Sequence, residues 1–226
     1  MGDGEKLKIA VFVSGQGSNL QAIIDAIEAN RIEVALSFVL SDVEDAPALD
    51  RARKHGINAI FLDPKELSQK EDYERAILAL PAMQNVGLVC LAGFMQILSS
   101  HFLRNFHGKV MNIHPALLPS FPGLRVQRKA LEHGVRFSGC TVHFVDKGID
   151  TGPIIAQAVI PVLQEDTEEK LSKKILALEH QIYPQVIKWY ASGRLKSQGH
   201  RVILEGGEGG GGGSAYLVYP PLEDES

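Results

Sequence analysis

The sequence predicts a single α/β domain built on a doubly wound, mostly parallel sheet. In the first half of the chain, short β-branched runs alternate with segments of helix length, the pattern of successive strand-helix-strand units. After residue 112 the pattern changes to two extended runs joined by a short loop, followed by one long amphipathic segment. A chain of 226 residues suits one such domain and buries roughly 70% of the surface of its unfolded form.

The first half supplies the parallel strands and their crossover helices. Lys8–Val13 is apolar and β-branched, Ser14–Ser18 is a glycine turn, and Asn19–Ala29 carries apolar residues at helical spacing. Because parallel neighbours are joined by right-handed crossovers, the first half predicts helices on both faces of the sheet. The alternation continues with strands near Val34–Leu40, Ala59–Leu62, Gly87–Leu91 and Lys109–Asn112, and with helices near Ala46–His55 and Glu66–Leu80.

The second half predicts an antiparallel addition to the sheet and a closing helix. Ser138–Val145 and Pro153–Val162 are extended runs separated by a short Gly/Asp loop, typical of an antiparallel strand pair. Thr167–Tyr190 is predicted to be one amphipathic helix with Asp166 or Thr167 as its N-cap. Its buried stripe is predicted to comprise Leu171, Ile175, Leu178, Ile182, Val186 and Trp189.

The folded domain is predicted to span residues 1–205, followed by a glycine-rich linker and an acidic tail over residues 206–226. Gly206–Gly213 holds seven glycines and one glutamate, so it cannot bury enough apolar surface to offset its chain entropy. Ser214–Ser226 combines two tyrosines and aliphatic residues with two prolines and an acidic end. We interpret the tail as disordered, with a short motif that docks on a partner or on its own domain as the alternative.

Composition excludes several classes of function. A net charge of −4, with 45% hydrophobic and 22% charged residues, gives no electrostatic reason to expect nucleic acid. No run approaches the ~18 apolar residues of a transmembrane helix, and Met1–Lys6 lacks the apolar core of a signal peptide. Cys90 and Cys140 lie in predicted strands without metal-type spacing, which indicates buried thiols in a reducing cytosol. We therefore expect a cytoplasmic monomer or homodimer that acts on small molecules and binds no metal, membrane or nucleic acid.

The segment Ser14-Gly15-Gln16-Gly17-Ser18-Asn19 links the first strand to the first helix. Glycines let the backbone turn tightly there, and the helix presents unpaired N–H groups and the positive end of its dipole. The loop is neither a P-loop nor a clean dinucleotide fingerprint, since Leu20 replaces the last glycine of that motif. Two interpretations stay open: a phosphate site, favoured by the position at the carboxyl end of a strand, and a tight connection without a ligand.

Asn112, His114 and Asp150 form the candidate catalytic group. Addition of an amine to a formyl or acyl carbonyl creates a tetrahedral oxyanion, which an Asn112 N–H and a protonated His114 can stabilise. Their spacing of two along a strand places both side chains on one face. Asp150 is expected to raise the pKa of the histidine, to hold it cationic near neutral pH, and to order a water that relays the proton.

Each of these residues also has a purely structural interpretation. Asn112 could bond loop backbone, His114 could cap a strand end, and Asp150 could be a turn residue. Their combination, with prolines stiffening both loops, favours the catalytic interpretation. His143, inside a predicted strand, is interpreted as a hydrogen-bonded core histidine, and the remaining histidines form no zinc-ligand cluster.

Six segments together carry a resemblance to a known family. They are Ser14–Asn19, Leu91–Leu98, Asn112–Pro119, Thr141–Val145, Gly148–Pro153 and Glu179–Pro184. The chain from about Lys8 to Arg194 resembles the folate-dependent formyltransferases, in particular those that formylate glycinamide ribonucleotide in purine synthesis. The Asn-x-His-Pro and Asp-x-Gly-Pro segments are general to that family, whereas the first and last segments point to the glycinamide branch.

The resemblance implies a place for each substrate. Backbone N–H groups at Gly17, Ser18 and Asn19 would hold the phosphate of the acceptor. Glu179 would accept hydrogen bonds from its ribose hydroxyls. The pocket for the pterin of 10-formyltetrahydrofolate, the co-substrate, would be formed by Leu91, Phe94, Met95, Gln96, Ile97, Leu98, Val145, Lys147, Gly148 and Ile149.

The resemblance also implies a mechanism. The acceptor amine would attack the formyl carbon of 10-formyltetrahydrofolate directly, through a tetrahedral intermediate and without a formyl-enzyme. Asn112, His114 and Asp150 would take the roles described above. A cis peptide bond is expected at Leu118-Pro119.

Departures from the family pattern leave some points open. Gln96 stands where many relatives carry arginine, which removes a cation that could meet the acidic tail of folate. Arg125 lies where relatives show a histidine-containing run, and it either supplies an anion contact or begins a solvated helix. Methionyl-tRNA formyltransferase, formyltetrahydrofolate deformylase and sugar-amine formyltransferases are the rival enzymes. A folate- or nucleotide-binding module without activity is the rival from another class.

Overall fold

The computed structural model describes residues 6–67 and 69–206, so the predicted linker and tail lie almost entirely outside the described residues. The strands are β1 Leu7–Val13, β2 Val34–Ser41, β3 Ala59–Phe61, β4 Val86–Leu91, β5 Val110–His114, β6 Phe137–Phe144, β7 Ile154–Pro161, β8 Leu195–Gln198 and β9 Arg201–Leu204. The α-helices are α1 Ser18–Glu28, α2 Pro47–Lys54, α3 Lys70–Ala79, α4 Ser100–Asn105, α5 Val126–Glu132 and α6 Glu168–Ala191. Within these ranges no helix is long and apolar enough to cross a membrane.

The strands form one sheet in the order β3-β2-β1-β4-β5-β6-β7-β9-β8. The first five in this order run parallel, whereas β6 pairs antiparallel with β5, and β7 pairs antiparallel with β6. The predicted doubly wound sheet with an antiparallel C-terminal pair is therefore confirmed. The strand order reverses between β1 and β4, where open α/β sheets form a crevice at the carboxyl ends of their strands.

Helices cover both faces of the sheet, so the hydrophobic core has two parts. On one face, α1, α2 and α6 bury residues such as Leu20 and Ile175 against the sheet. On the other face, α3 and α4 bury residues such as Ile77 and Phe102. Alternate residues of β1 enter the two clusters, as expected for a strand covered on both sides.

Helix α6 closes the core much as the sequence predicts. It begins after Thr167, whose hydroxyl accepts the N–H of Lys170 as an N-cap. Tyr183 is fully buried on the same helix, and its hydroxyl lies 3.0 Å from the carbonyl oxygen of Leu91 and 3.2 Å from that of Met111. Leu171, Ile175 and Val186 of the predicted stripe are buried, and Leu178, Ile182 and Trp189 are partly buried against the same cluster.

The sequence interpretation missed several short elements and the start of one helix. The helix predicted to begin at Glu66 begins only at Lys70, because Asp63 caps a separate 3-10 turn by accepting the N–H of Lys65 at 2.8 Å. Helices α4 and α5 have six and seven residues, too few to show a repeated helical period. Strands β8 and β9 form a hairpin around Gly199. Each strand has four residues, too few to show a clear alternation of apolar and polar residues.

Candidate active site

The end of β5 and the loop between β6 and β7 bring Asn112, His114 and Asp150 together. Asn112 and His114 lie on one face of β5, as their spacing predicts. The Nδ1 atom of His114 lies 3.3 Å from Oδ2 of Asp150, and the Nδ2 atom of Asn112 lies 3.5 Å from Oδ1. The three side chains proposed from the sequence are therefore neighbours.

The backbone holds Asp150 in a defined orientation. Asp150 lies in the left-handed region with φ of 56°, and its Oδ2 accepts the N–H of Gly123 at 2.8 Å. Gly152 lets the loop approach β6, because a Cβ there would lie 1.8 Å from the carbonyl oxygen of Phe144. Burial raises the pKa of Asp150, but contacts with His143 and the Gly123 N–H outweigh it and lower the pKa below its usual value. Asp150 is therefore a carboxylate at neutral pH.

His114 is 4% exposed, and both of its ring nitrogens face acceptors. Nε2 lies 2.9 Å from the carbonyl oxygen of Phe121, which can only accept, so the hydrogen-bond network assigns a proton to Nε2. Burial lowers the pKa of His114 and outweighs the Phe121 carbonyl and the Asp150 carboxylate, which raise it. The expectation that Asp150 holds His114 cationic near neutral pH is therefore wrong, because burial of the ring disfavours its charge.

His143 also contacts this site, a contact that the sequence interpretation missed. It is buried in β6 as predicted, and sheet register places it opposite Asn112. Its Nδ1 donates to the carbonyl oxygen of Phe144 at 2.9 Å, so its Nε2 is free to accept from Nδ2 of Asn112 at 3.2 Å. Nε2 also lies 3.7 Å from Oδ1 of Asp150. Pairing the two predicted strands in register would have placed His143 beside Asn112.

The loop that follows β5 is anchored by the neighbouring strands. The Leu118-Pro119 peptide bond is cis, which confirms the expectation from the family resemblance. The Thr141 hydroxyl donates to the carbonyl oxygen of Ala116 at 2.7 Å and accepts the N–H of Leu118 at 3.0 Å. The Gln157 amide donates to the Leu118 carbonyl oxygen at 2.9 Å. Side chains of β6 and β7 thus fix the chain that leads to the Phe121 carbonyl.

The glycine loop between β1 and α1 lies at the same edge of the sheet. Gly17 has φ of 70°, and a Cβ there would lie 2.6 Å from Cβ of Ala48, so this position requires glycine. Among the described residues, no side chain caps α1, and its first turn contains no acid. Backbone N–H groups are thus left without helical partners, as the phosphate interpretation requires. Arg51 of α2, which the sequence interpretation did not single out, donates to the carbonyl oxygen of Gln16 at 2.8 Å.

Asn19 and Glu179 meet beside this loop. Nδ2 of Asn19 donates to Oε2 of Glu179 at 2.7 Å, and within the described ranges its buried Oδ1 has no hydrogen-bond partner. Glu179 is 5% exposed, and burial raises its pKa although the Asn19 hydrogen bond lowers it. The carboxyl group that the resemblance assigns to ribose binding thus lies within reach of the loop assigned to the phosphate.

The residues expected to form the pterin pocket divide between buried and exposed positions. Leu91 and Leu98 are buried, Phe94, Gln96 and Val145 are partly buried, and Met95, Ile97, Lys147, Gly148 and Ile149 are exposed. The Gln96 amide donates to the carboxylate of Asp42 at 2.7 Å. A cavity of about 250 Å³ lies between α3 and the 96–98 segment, and Tyr73 lines it.

Two further residues join or border these loops. The Ser14 hydroxyl accepts the N–H of Met95 at 2.8 Å, which ties the glycine loop to the predicted pterin loop. Arg125 is an exposed residue with φ of 55° at the N-cap of α5. This position fits the interpretation of Arg125 as a solvated helix start, and the alternative of an anion contact stays a prediction.

Both cysteines lie inside the described domain. Cys90 and Cys140 are buried free thiols, and burial raises the pKa of each to about 12. In residues 6–67 and 69–206, no group of three His, Cys, Asp or Glu side chains could hold a metal ion.

A doubly wound sheet that carries an amide, an imidazole and a carboxylate beside an unpaired helix N-terminus defines a group-transfer enzyme acting at a carbonyl carbon. The family model for formyl transferase matches residues 7–187, and the chain belongs to this family. It is 44% identical over 200 residues to phosphoribosylglycinamide formyltransferase of Escherichia coli (strain K12), covering 88% of this chain and 94% of that protein.

The chain is also similar to part of a longer protein and to a solved crystal structure. The chain is 45% identical over 191 residues to the trifunctional purine biosynthetic protein adenosine-3 of Drosophila pseudoobscura pseudoobscura, covering 84% of this chain but 14% of that protein. The crystal structure of glycinamide ribonucleotide transformylase 1 from Symbiobacterium toebii is 47% identical, with a TM-score of 0.87, and covers 89% of this chain and 95% of that chain. The fold predicted from the sequence therefore matches that of solved members of the family.

Proposed function

We propose that the protein transfers the formyl group of 10-formyltetrahydrofolate to the amine of glycinamide ribonucleotide, a step of purine biosynthesis. The observation that carries the proposal is the convergence of Asn112, His114 and Asp150 at the sheet edge that also holds the uncapped start of α1. The three side chains suit chemistry at a formyl carbon. The uncapped helix start suits an acceptor substrate that carries a phosphate. Because both substrates are soluble metabolites, we expect the enzyme to act in the cytoplasm.

His114 is suited to accept the proton that the amine loses on attack. Its Nε2–H is occupied by the Phe121 carbonyl, so the neutral ring directs the lone pair of Nδ1 toward Asp150. A proton bound at Nδ1 is stabilised by the carboxylate. Both N–H groups of the resulting cation then face protein acceptors, so the hydrogen bond to the oxyanion is left to Asn112. His114 then returns the proton, directly or through water, to the folate nitrogen that leaves. The lowered pKa of His114 makes it a base at the start of the reaction and an acid at its end.

Asn112 is suited to donate a hydrogen bond to the oxyanion. His143 accepts one of the two hydrogens on Nδ2, which fixes the orientation of the amide. The other hydrogen lies on the side of Asp150, where the separation of 3.5 Å is longer than an ordinary hydrogen bond. That hydrogen is available to a substrate oxygen, and a donor already in place costs no reorganisation during the reaction.

The acceptor substrate is proposed to bind between α1 and α6. Backbone N–H groups of Gly17, Ser18 and Asn19 hold its phosphate, which lets a protein with a net charge of −4 bind an anion through a local field. Glu179 accepts hydrogen bonds from the ribose hydroxyls, and its position against Asn19 supports this assignment.

The pterin is proposed to bind between the 91–98 and 145–149 segments. Met95, Ile97 and Ile149 each expose more than half of their surface, so a flat heterocycle lying against them would remove apolar area from water. Gln96 is held by Asp42 and supplies no cation for the acidic tail of folate. We therefore expect the heterocycle, more than the tail, to provide the affinity for 10-formyltetrahydrofolate.

An initial-rate assay of purified protein tests the proposal. Appearance of tetrahydrofolate from 10-formyltetrahydrofolate is followed spectroscopically with and without glycinamide ribonucleotide. Release that depends on the ribonucleotide supports the transferase. Release without it identifies a deformylase, and no release from folded protein contradicts the proposal.

A further inference from the structure

Helix α2 packs against the back of the glycine loop. A Cβ at Gly17 would lie 2.6 Å from Cβ and 2.9 Å from Cα of Ala48, so loop and helix are in direct contact. The N–H of Ala48 donates to the carbonyl oxygen of Gly15 at 3.1 Å, and Nε of Arg51 donates to that of Gln16 at 2.8 Å. Two successive carbonyl groups of the loop are therefore bonded to one helix.

These two hydrogen bonds orient the N–H groups of the loop. In a trans peptide the C=O and the following N–H point in opposite directions. Both peptides are trans, so when the carbonyls of Gly15 and Gln16 point at α2, the N–H groups of Gln16 and Gly17 point away from it. The unpaired N–H groups of α1 begin directly after Gly17. Successive N–H groups that face one side form an anion-binding concavity, and α2 forms its back wall.

Arg51 adds a charge to this wall. The guanidinium cannot lose its proton in a protein, and a second hydrogen bond, from Nη1 to Oε1 of Gln21 at 3.3 Å, holds it in place. Arg51 and Ser18 line one end of a groove of about 420 Å³ that runs along α1 to Asp25 and Arg31. Asp25, the acid in that groove, accepts from the Gln21 amide at 2.8 Å. The cation therefore lies directly behind the loop at the positive end of the α1 dipole.

We infer that Arg51 is a positioning residue for the phosphate of the acceptor substrate. Through the carbonyl of Gln16 it aims the N–H of Gly17 at the phosphate, and it strengthens the positive field of the loop from behind. Because the guanidinium binds the side of the loop opposite the N–H groups, Arg51 acts without touching the phosphate. The inference rests on the proposed function and concerns the same site.

A matched pair of substitutions tests this role. Arg51→Met removes the guanidinium but keeps an apolar stem, whereas Arg53→Met removes the same charge from the exposed face of α2, where Arg53 pairs with Asp50 at 2.8 Å. The dissociation constant for glycinamide ribonucleotide is measured by calorimetry without folate. Arg51→Met should weaken binding about tenfold or more, the scale of one lost hydrogen bond to a charged group. Arg53→Met should leave binding unchanged, and the KM for 10-formyltetrahydrofolate should change less than about twofold in both variants.

An acceptor without the phosphate separates positioning from general structural damage. Glycinamide riboside should be formylated with the same kcat/KM by the wild type and by Arg51→Met, because there is no phosphate to misplace. Equal losses of kcat/KM with both acceptors would overturn the inference. Wild-type affinity for the ribonucleotide in a folded Arg51→Met variant would also overturn it.

A titration with inorganic phosphate separates the inference from the proposed function. If the wild type bound no glycinamide ribonucleotide, the proposed function would fail, and the phosphate titration would still test Arg51. Phosphate binding by the wild type that Arg51→Met loses supports the role of Arg51. Equal binding by both proteins, or no binding by either, overturns it.

Discussion

Within the His114–Asp150 pair, burial and charge act in opposite directions on one imidazole. Burial lowers the pKa of His114, and the carboxylate and the Phe121 carbonyl recover only part of that loss. The sequence places His114 beside Asp150 correctly, but it cannot show how deeply the ring is buried. It also leaves the Phe121 carbonyl and Arg51 unassigned, because their contacts depend on loop paths that no residue pattern encodes. The direction of the pKa shift of His114 could therefore be determined only from the structure.

Asp150→Asn tests the role of the carboxylate. The asparagine tolerates the left-handed backbone and its Oδ1 can accept the Gly123 N–H, but it carries no charge to stabilise a proton on His114. We expect kcat to fall by about 10² to 10⁴, the range for loss of proton-transfer catalysis. Near-UV circular dichroism should remain that of the wild type. Turnover close to the wild-type rate would exclude the proposed role of Asp150.

His114 should also make stability depend on pH. A lowered folded-state pKa means that the unfolded chain binds the proton first, so stability falls as pH drops below the usual histidine value of about 6.5. Asp150, whose pKa is also lowered, adds stability above the usual carboxyl value of about 3.9 and loses it at more acidic pH.

Substitution of His114 by glutamine isolates this contribution. In His114→Gln, the difference in unfolding free energy between about pH 7.5 and about pH 5.5, measured in urea, should be smaller than in the wild type. His180, whose pKa burial also lowers, is present in both proteins and serves as the common background. An equal or larger pH dependence in the variant would contradict the account of the buried imidazole.

Among the elements, the sheet edge where strands become loops contains the catalytic group and the glycine loop. Strand positions could be predicted because apolar and β-branched runs have a clear period, and the spacing of Asn112 and His114 follows from that period. Helices α4 and α5 could not, since six or seven residues show no repeated helical period. The β8–β9 hairpin could not, since its strands of four residues depend on tertiary contacts for their stability. Two of these, α4 and α5, flank the loops that carry the site.

The strand-to-helix turn at Gly17 is expected to tolerate no side chain. In Gly17→Val, a left-handed φ and contact with Ala48 would cost on the order of 1–3 kcal/mol and displace the loop. We expect the KM for glycinamide ribonucleotide to rise at least about tenfold, while the KM for folate changes little. Gly15→Ala is the control, because a Cβ there meets nothing within 4 Å. An equal rise in the KM values for both substrates would indicate a folding defect instead.

Helix α6 is tied to the ends of β4 and β5 by the hydroxyl of Tyr183. Tyr183→Phe removes hydrogen bonds to buried carbonyl oxygens and should lower the unfolding free energy by about 1–2 kcal/mol. Tyr190→Phe is the control, since its hydroxyl lies 3.3 Å from the Gly87 carbonyl in a partly exposed setting and should contribute less. Urea unfolding of both variants makes the comparison. A larger loss in Tyr190→Phe would show that α6 is anchored elsewhere.

For the molecule as a whole, fold class followed from the order of elements, and function followed from the side chains that this order brings together. The alternation of strands and helices was sufficient to predict a doubly wound sheet, which many unrelated activities share. The Asn-x-His and Asp-x-Gly segments form one candidate site for reaction at a carbonyl carbon only because the loop between β6 and β7 places Asp150 beside the end of β5. The interpretation of residues 206–226 as a linker and tail stays a prediction.

The most direct test follows the formyl carbon itself. The enzyme is incubated with 10-formyltetrahydrofolate labelled with carbon-13 in the formyl group and with glycinamide ribonucleotide, and the product is identified by NMR. We predict that the label appears as the formamide of the ribonucleotide and that His114→Gln and Asp150→Asn slow its appearance. Label released as formate, or left on the folate by folded wild-type protein, would contradict the account.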